Sequence, residues 1–232
     1  KLTERFQKSL ELNLLFLKNS SYYNDVNFTI IDWGSKNNFS NSISLNKEFK
    51  NKINFIEVPT KVAEKYSKKA INFYYGAIAA NLGFRKSNSQ FIMHMAHDQF
   101  LPSSCWNNLL MFLKSEEKKI NPVIYFPRYT IEKDFLLKNK SFKDLNSYIL
   151  TSNFNHILTS KFKFNEGGGC TLVASTKQLK NIKGYTEIPD FACDFDLHLR
   201  FSNDGSTFFD GRSIGVYSFK FPTIARSQRN DL

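Results

Sequence analysis

The sequence predicts an α/β sandwich with a mainly parallel central sheet. Two observations carry this. Short apolar runs at 25–32, 53–58, 91–96 and 122–129, the first with β-branched residues, alternate with stretches of helical period through the first half of the chain. The 232 residues, 41% of them apolar, suffice for one large core.

The elements follow in order. Phe6, Leu10, Leu14 and Leu17 fall at spacings of three and four with Lys and Glu between them, predicting an amphipathic helix over 1–18. Asp25 to Asp32 is a strand that Trp33-Gly34-Ser35 breaks into a loop, and the polar segment 36–51 continues that loop. Ile53 to Val58 is a second strand, ended by Pro59. Over 61–83, Ala70, Phe73, Ala77 and Ala80 share a helix face, with Gly83 as a C-terminal stop. Phe91 to Ala96 is a third strand. Pro102 opens a helix that turns Trp106, Leu109, Leu110 and Leu113 inward. Pro122 to Tyr129 is a fourth strand, and 131–165 reads as short helices and loops. Gly167-Gly168-Gly169 is a corner before a strand at Cys170–Ala174. A short helix, 176–182, starts with Thr176 as its cap. Phe191–Phe201 is a helix and Ser213–Phe219 the last strand. Neither a repeat nor a linker divides the chain, so 1–232 reads as one domain.

Composition removes several classes. No run of about 18 apolar residues codes a membrane span, and Lys1-Leu2-Thr3-Glu4-Arg5 has no apolar signal core behind it. Cys105, Cys170 and Cys193 are odd in number and widely spaced, which argues against a disulfide framework and fits a reducing cytoplasm. There is no zinc-knuckle spacing, no H-E-x-x-H, no P-loop and no Ser-His-Asp elbow. The net charge of +11 attracts phosphates, nucleic acid or anionic lipid, and reads as readily as a Lys-rich compositional bias. No nucleic-acid-binding module accompanies it.

Four places can carry chemistry. In such sheets ligands bind beyond the carboxyl ends of the strands, where Asp32 and His97-Asp98 both fall. A carboxylate there can hold a divalent cation bridging two phosphates; a turn whose Asp caps the next helix is the commoner outcome. Asp32 can accept hydrogen bonds from a base or ribose, or serve its own turn. Trp33 can stack on a ligand, although burial is the usual fate of Trp. Asp194 stands four residues before His198 on one helix face and near a helix start. It can act as a base on a hydroxyl, or simply complement the helix dipole. The glycines at 167–169 let backbone amides approach a phosphate. His94, inside a strand, reads as a satisfied core histidine.

Taken in order, these pieces resemble the family 2 glycosyltransferases. Ile30-Ile31-Asp32-Trp33-Gly34-Ser35 looks like that family's strand ending in Asp-Asp-Gly-Ser. Asn81-Leu82-Gly83 is similar to its helical Asn-x-Gly, and Phe91 to Asp98 to the strand ending at its metal-binding Asp-x-Asp. Gly167-Gly168-Gly169-Cys170, Gly184-Tyr185-Thr186-Glu187 and Asp194-Phe195-Asp196-Leu197 look like its glycine-rich strand, its aromatic G-Y/F-x-E and its acidic helix start. Glu4-Arg5-Phe6-Gln7 and Phe55-Ile56-Glu57-Val58-Pro59 are similar to a bacterial subgroup. The resemblance covers about residues 1–220.

The resemblance implies a GT-A fold, with 1–115 as the nucleotide-binding half and 116–232 as the acceptor side. It implies an inverting transfer from a nucleotide-diphospho-sugar to a glycan or lipid-linked acceptor in bacterial surface polysaccharide synthesis, in the cytoplasm or at the inner membrane's anionic surface. Asp32, Trp33, Asn81, Arg85, Gly168 and Gly169 would bind the donor nucleotide. Asp98 and His97 would hold Mg²⁺ or Mn²⁺, Asp194 would be the base, and Tyr185 would shape the acceptor side. Three departures stand against it. The family's first strand is missing before Lys1, so preceding residues are expected in the native protein. Asp-x-Asp is reduced to Ala96-His97-Asp98, and the acidic pair before the last helix keeps only Asp194 after Cys193. A non-catalytic nucleotide- or sugar-binding domain with a degenerate metal site is the alternative these departures support.

Overall fold

The computed structural model describes residues 2–67, 76–116, 122–126, 128–131, 171–187, 193–210 and 216–219. Helix α1 spans Leu2–Lys18, strand β1 Phe28–Trp33, a single turn α2 Phe39–Ser42, and β2 Ile53–Val58. Helices α3 (Thr60–Ser67) and α4 (Gly76–Lys86) follow, then β3 (Phe91–His94), β4 (Gln99–Phe100) and α5 (Ser103–Glu116). The second half contributes β5 (Pro122–Tyr125), β6 (Arg128–Ile131), β7 (Leu172–Ser175), α6 (Thr176–Asn181), α7 (Cys193–Asn203), β8 (Thr207–Asp210) and β9 (Val216–Phe219).

The α/β sandwich expected from the sequence is present. Strands β1 and β2 pair in parallel, a second sheet has the order β3-β7-β5-β8, and a third the order β4-β9-β6. In the second sheet β7 runs antiparallel to both neighbours, while β5 and β8 are parallel. Strands β3, β5 and β8 therefore all point one way. Because β3 joins β7 and β5, the two halves of the chain share this sheet.

Helices cover both faces, and the two-residue period of β1 explains how. Ile30 packs with Leu10, Leu14 and Phe49 on the α1 side. Ile31 lies under α4, with its Cδ1 3.7 Å from the Cβ position of Gly83. Helix α1 is more deeply embedded than an amphipathic stripe requires. Leu12, Phe16 and Leu17 join Phe100, Trp106 and Leu109 in one cluster, while Leu10 and Leu14 serve another. A polar residue on such a helix must be satisfied, and Asn13 is: its Nδ2 donates to the Gln99 carbonyl at 2.9 Å and its Oδ1 accepts from the Leu101 N–H at 3.0 Å. On the other face Ala77, Ala80 and Phe84 of α4 meet Val123, Tyr125, Leu172, Leu197 and Phe201.

Several local expectations are corrected. The segment 36–51 carries α2 and a 3-10 turn at Lys47–Lys52, because Asn46 caps the latter. Gly83 lies inside α4, where its missing side chain lets the helix pass over Ile31; it does not end the helix. The run 122–129 is two strands in different sheets, β5 and β6, parted at Phe126. The cap of α6 is Ser175, which bonds Gln178 reciprocally in a capping box, and not Thr176. Strands β4 and β8 were not apparent in the sequence. The expected structure at 132–165 and the glycine corner at 167–169 lie outside the described residues, as does much of the middle of the 61–83 helix.

Candidate active site at the carboxyl rim

Strand direction decides which side chains meet. Helix α5 leaves the rim beyond β3 and runs back along the sheet. Its first residue, Ser103, donates to the Phe16 carbonyl at 2.8 Å, and Lys114, a turn before its end, pairs with Asp25 just before β1 at 2.9 Å. Strand β1 thus starts on the side where β3 starts, and Asp32, one residue before its end, falls toward the same rim as Asp98. Helix α7 folds back onto the sheet that contains β8 through Asp204-Gly205, and His198 stacks on Phe208 with ring centres 4.3 Å apart. A helix returning into its strand through so short a turn runs opposite to it. Its first turn, with Asp194, therefore stands at the carboxyl end of β8, which points the same way as β3.

Asp32 is 7% exposed and works on its own loop. Ser35 Oγ donates to one carboxylate oxygen and the Phe39 N–H to the other at 2.7 Å. Glu57, at the end of β2, accepts from Asn38 at 2.8 Å and Ser40 at 2.7 Å. Two strand-end carboxylates so tie down the segment 35–40. Gly34 makes the sharp exit with φ +76°, and a Cβ there would sit 2.4 Å from that of Ala63. Trp33 meets Tyr66 edge to face at 5.9 Å.

His97 and Asp98 occupy a tight turn. His97 is exposed and Asp98 half-buried. The turn closes through the Gln99 N–H to the Ala96 carbonyl at 3.2 Å, and again through the Ala96 N–H to Gln99 Oε1 at 2.8 Å.

Asn81 and Arg85 fasten α4 to the 184–187 segment. Asn81 Nδ2 donates to the Tyr185 carbonyl at 2.8 Å and to Glu187 at 3.0 Å, and the Tyr185 N–H returns to Asn81 Oδ1 at 2.7 Å. Arg85 pairs with Glu187 at 3.0 Å. Burial raises the Glu187 pKa, but the Asn81 and Arg85 hydrogen bonds and the Arg85 charge outweigh it, so its carboxyl titrates below the usual range. Tyr185, buried against Phe84, hydrogen-bonds His94 Nδ1 at 2.9 Å. His94 is the satisfied core histidine the sequence suggests, and burial pushes its pKa down to about 4.

The same segment grips α7. Thr186 Oγ1 donates to Asp196, and Arg200 bonds Asp196 at 2.6 Å and the Ile182 carbonyl at 2.6 Å. The start of α7 is thereby tied through Thr186 and Tyr185 to His94, four residues before Asp98. Gly168 and Gly169 lie outside the described residues. The sequence gives no sign of the roles of Gln99 and Glu57, whereas Asp196 and Arg200 carry one, an i, i+4 charge pair at the acidic helix start.

A divalent cation suits the rim turn in one respect. A half-exposed carboxylate beside an exposed imidazole can supply one or two ligands while diphosphate oxygens and water supply the rest, as Mg²⁺ prefers. Among the described residues no three His, Cys, Asp or Glu side chains gather into a closed metal site.

The architecture is shared with solved structures of S. aureus TarS. It resembles S. aureus TarS 1-349 with a TM-score of 0.60 at 12% identity, over 94% of this chain and 57% of that one. It resembles S. aureus TarS at 0.58 and 12%, over 95% and 35%. It resembles S. aureus TarS 1-349 in complex with UDP at 0.57 and 11%, over 95% and 58%. The chain thus spans about a third to three-fifths of the structures it matches. No family profile and no curated protein sequence matches it. No helix among the described residues is long and apolar enough to cross a membrane.

Proposed function

We propose that the chain is the donor-binding and catalytic part of an inverting glycosyltransferase that acts on a nucleotide-diphospho-sugar. One observation supports the reading: strands β3 and β8 run the same way, and by strand direction Asp32, Asp98 and the first turn of α7 fall toward the carboxyl ends, where nucleotide ligands bind in open α/β sheets. The UDP held by TarS 1-349 makes a uridine diphosphate sugar the first donor to test.

In this reading the rim divides the work. The 33–39 loop, shaped by Asp32, receives the nucleoside with Trp33 beside it. Asp98 and His97 would hold Mg²⁺ or Mn²⁺, which would supply positive charge against the leaving group. Asp194 accepts the proton of the acceptor hydroxyl as that oxygen attacks the anomeric carbon from the face opposite the leaving diphosphate, which inverts the centre. Gly168 and Gly169 would approach the donor, as the resemblance implies, while Tyr185, buried and bonded to His94, is a core residue and not part of the acceptor side. The acceptor is a glycan or a lipid-linked sugar of bacterial surface polysaccharide, and the +11 charge favours contact with an anionic membrane.

The test is turnover of a panel of nucleotide sugars with Mn²⁺, in the wild type and in Asp194→Asn. Turnover lost in the variant, with nucleoside diphosphate binding retained, supports the reading. A second reading rests on Ala96, which stands where the related motif has its first Asp: a binding domain without turnover. Thermal stabilisation by UDP with no consumption of any nucleotide sugar favours that one.

A further inference from the structure

Gln99 is neutral and buried, yet three parts of the fold meet on it. It is 2% exposed, as is Thr171. Its Oε1 accepts from the Ala96 N–H at 2.8 Å and from Thr171 Oγ1. A backbone N–H can only donate, so the atom facing Ala96 must be the oxygen. The Gln99 carbonyl accepts from Asn13 of α1, and its backbone pairs with Ser218 of β9. Its Nε2 is buried with no hydrogen-bond partner among the described residues. The amide oxygen is therefore the working end of the side chain, and it spans the turn that presents His97 and Asp98.

We infer that Gln99 is a positioning residue for Asp98: its Oε1 fixes the 96–99 turn and ties it to Thr171, at the start of β7. The inference rests on the proposed role of Asp98 and supplies that role's geometry. A turn closed only by its backbone bond would let the carboxylate swing. Closed twice, and anchored to α1 and β7, it aims the carboxylate before the ligand arrives. Groups that orient a metal ligand in this way matter nearly as much as the ligand.

Three variants separate the possibilities. Gln99→Met keeps the volume and removes the acceptor. Gln99→Glu keeps an acceptor. Thr171→Val removes one bond to Gln99 and leaves the Ala96 bond in place. The readouts are Mn²⁺ affinity in the presence of UDP and hydrogen exchange at the Ala96 amide. The expected result is about 10–100-fold weaker Mn²⁺ binding in Gln99→Met, faster Ala96 exchange, unchanged metal-free UDP binding, and recovery in Gln99→Glu. Thr171→Val is expected to melt earlier and to weaken Mn²⁺ binding less than Gln99→Met does, because the Ala96 bond remains. Equal Mn²⁺ affinity in folded Gln99→Met and wild type overturns the inference, and so does an Ala96 amide as protected in Gln99→Met as in wild type. If wild-type protein binds UDP with no Mn²⁺ effect, the metal role of Asp98 falls instead. Ala96 exchange then decides alone whether Gln99 sets the turn. A Gln99→Met protein that does not fold passes the decision to Gln99→Glu, where loss of Mn²⁺ affinity despite a protected Ala96 amide contradicts the inference.

Discussion

The Asn81 side chain pairs with the backbone of Tyr185 as a neighbouring strand would, taking its N–H at 2.7 Å and giving an N–H to its carbonyl at 2.8 Å. One residue of α4 thereby closes a polar gap under the 184–187 segment. Asn81→Ala leaves both groups of Tyr185 buried and unpaired, and is expected to lower stability by about 2–4 kcal/mol. Urea denaturation measures this. Gly184→Ala should cost at least as much, because its φ is +64° and a Cβ would lie 2.1 Å from Asn81 Oδ1.

His94 gives the fold an acid limit. Its pKa, about 4 in the folded protein, lies below the ordinary 6.5. The unfolded chain therefore binds a proton first as pH falls. Stability is complete above pH 6.5 and declines between there and 4, by an amount on the order of 2–3 kcal/mol. His198, whose pKa burial also lowers, adds in the same direction. Denaturation midpoints between pH 7 and 4 should show this decline, and it should flatten in His94→Gln.

Asp32 should matter twice. Asp32→Ala frees the Ser35 hydroxyl and the Phe39 N–H, opening the 33–39 loop to limited proteolysis. The variant is expected to lose about 1–3 kcal/mol of stability from the unpaired amide and hydroxyl. UDP binding should weaken with it if, as proposed, the loop receives the nucleoside.

Arg200→Ala releases Asp196 and the Ile182 carbonyl together. In the native protein burial raises the Asp196 pKa, while the bonds from Thr186 and Arg200 and the Arg200 charge outweigh it and leave it lowered. The variant's carboxyl should titrate higher, which NMR can follow. In the proposed reading α7 carries the base Asp194 and the nucleoside lies at the 33–39 loop, so donor turnover should fall with little change in UDP affinity.

Much of this was legible in the sequence, and the reason is periodicity. Ile30 and Ile31 face opposite helices because a strand alternates, and Trp106, Leu109 and Leu113 are buried because a helix turns every 3.6 residues. What stayed hidden depends on contacts distant in sequence. Gln99 meets Thr171 across 72 positions and Asn81 meets Tyr185 across 104, and no local pattern encodes either. The two-residue strand β4 is too short to show a period. The exchange of caps between Thr176 and Ser175 is a boundary shift of one residue, which propensity alone does not resolve.

The central claim is that this rim binds the diphosphate of a nucleotide donor through Asp98. Calorimetric titration of UDP, with and without Mn²⁺, into wild type and Asp98→Asn tests it most directly. The account predicts UDP binding that Mn²⁺ tightens in the wild type and leaves unchanged in the variant. Equal tightening by Mn²⁺ in both proteins, or no UDP binding by the folded wild type, would contradict it.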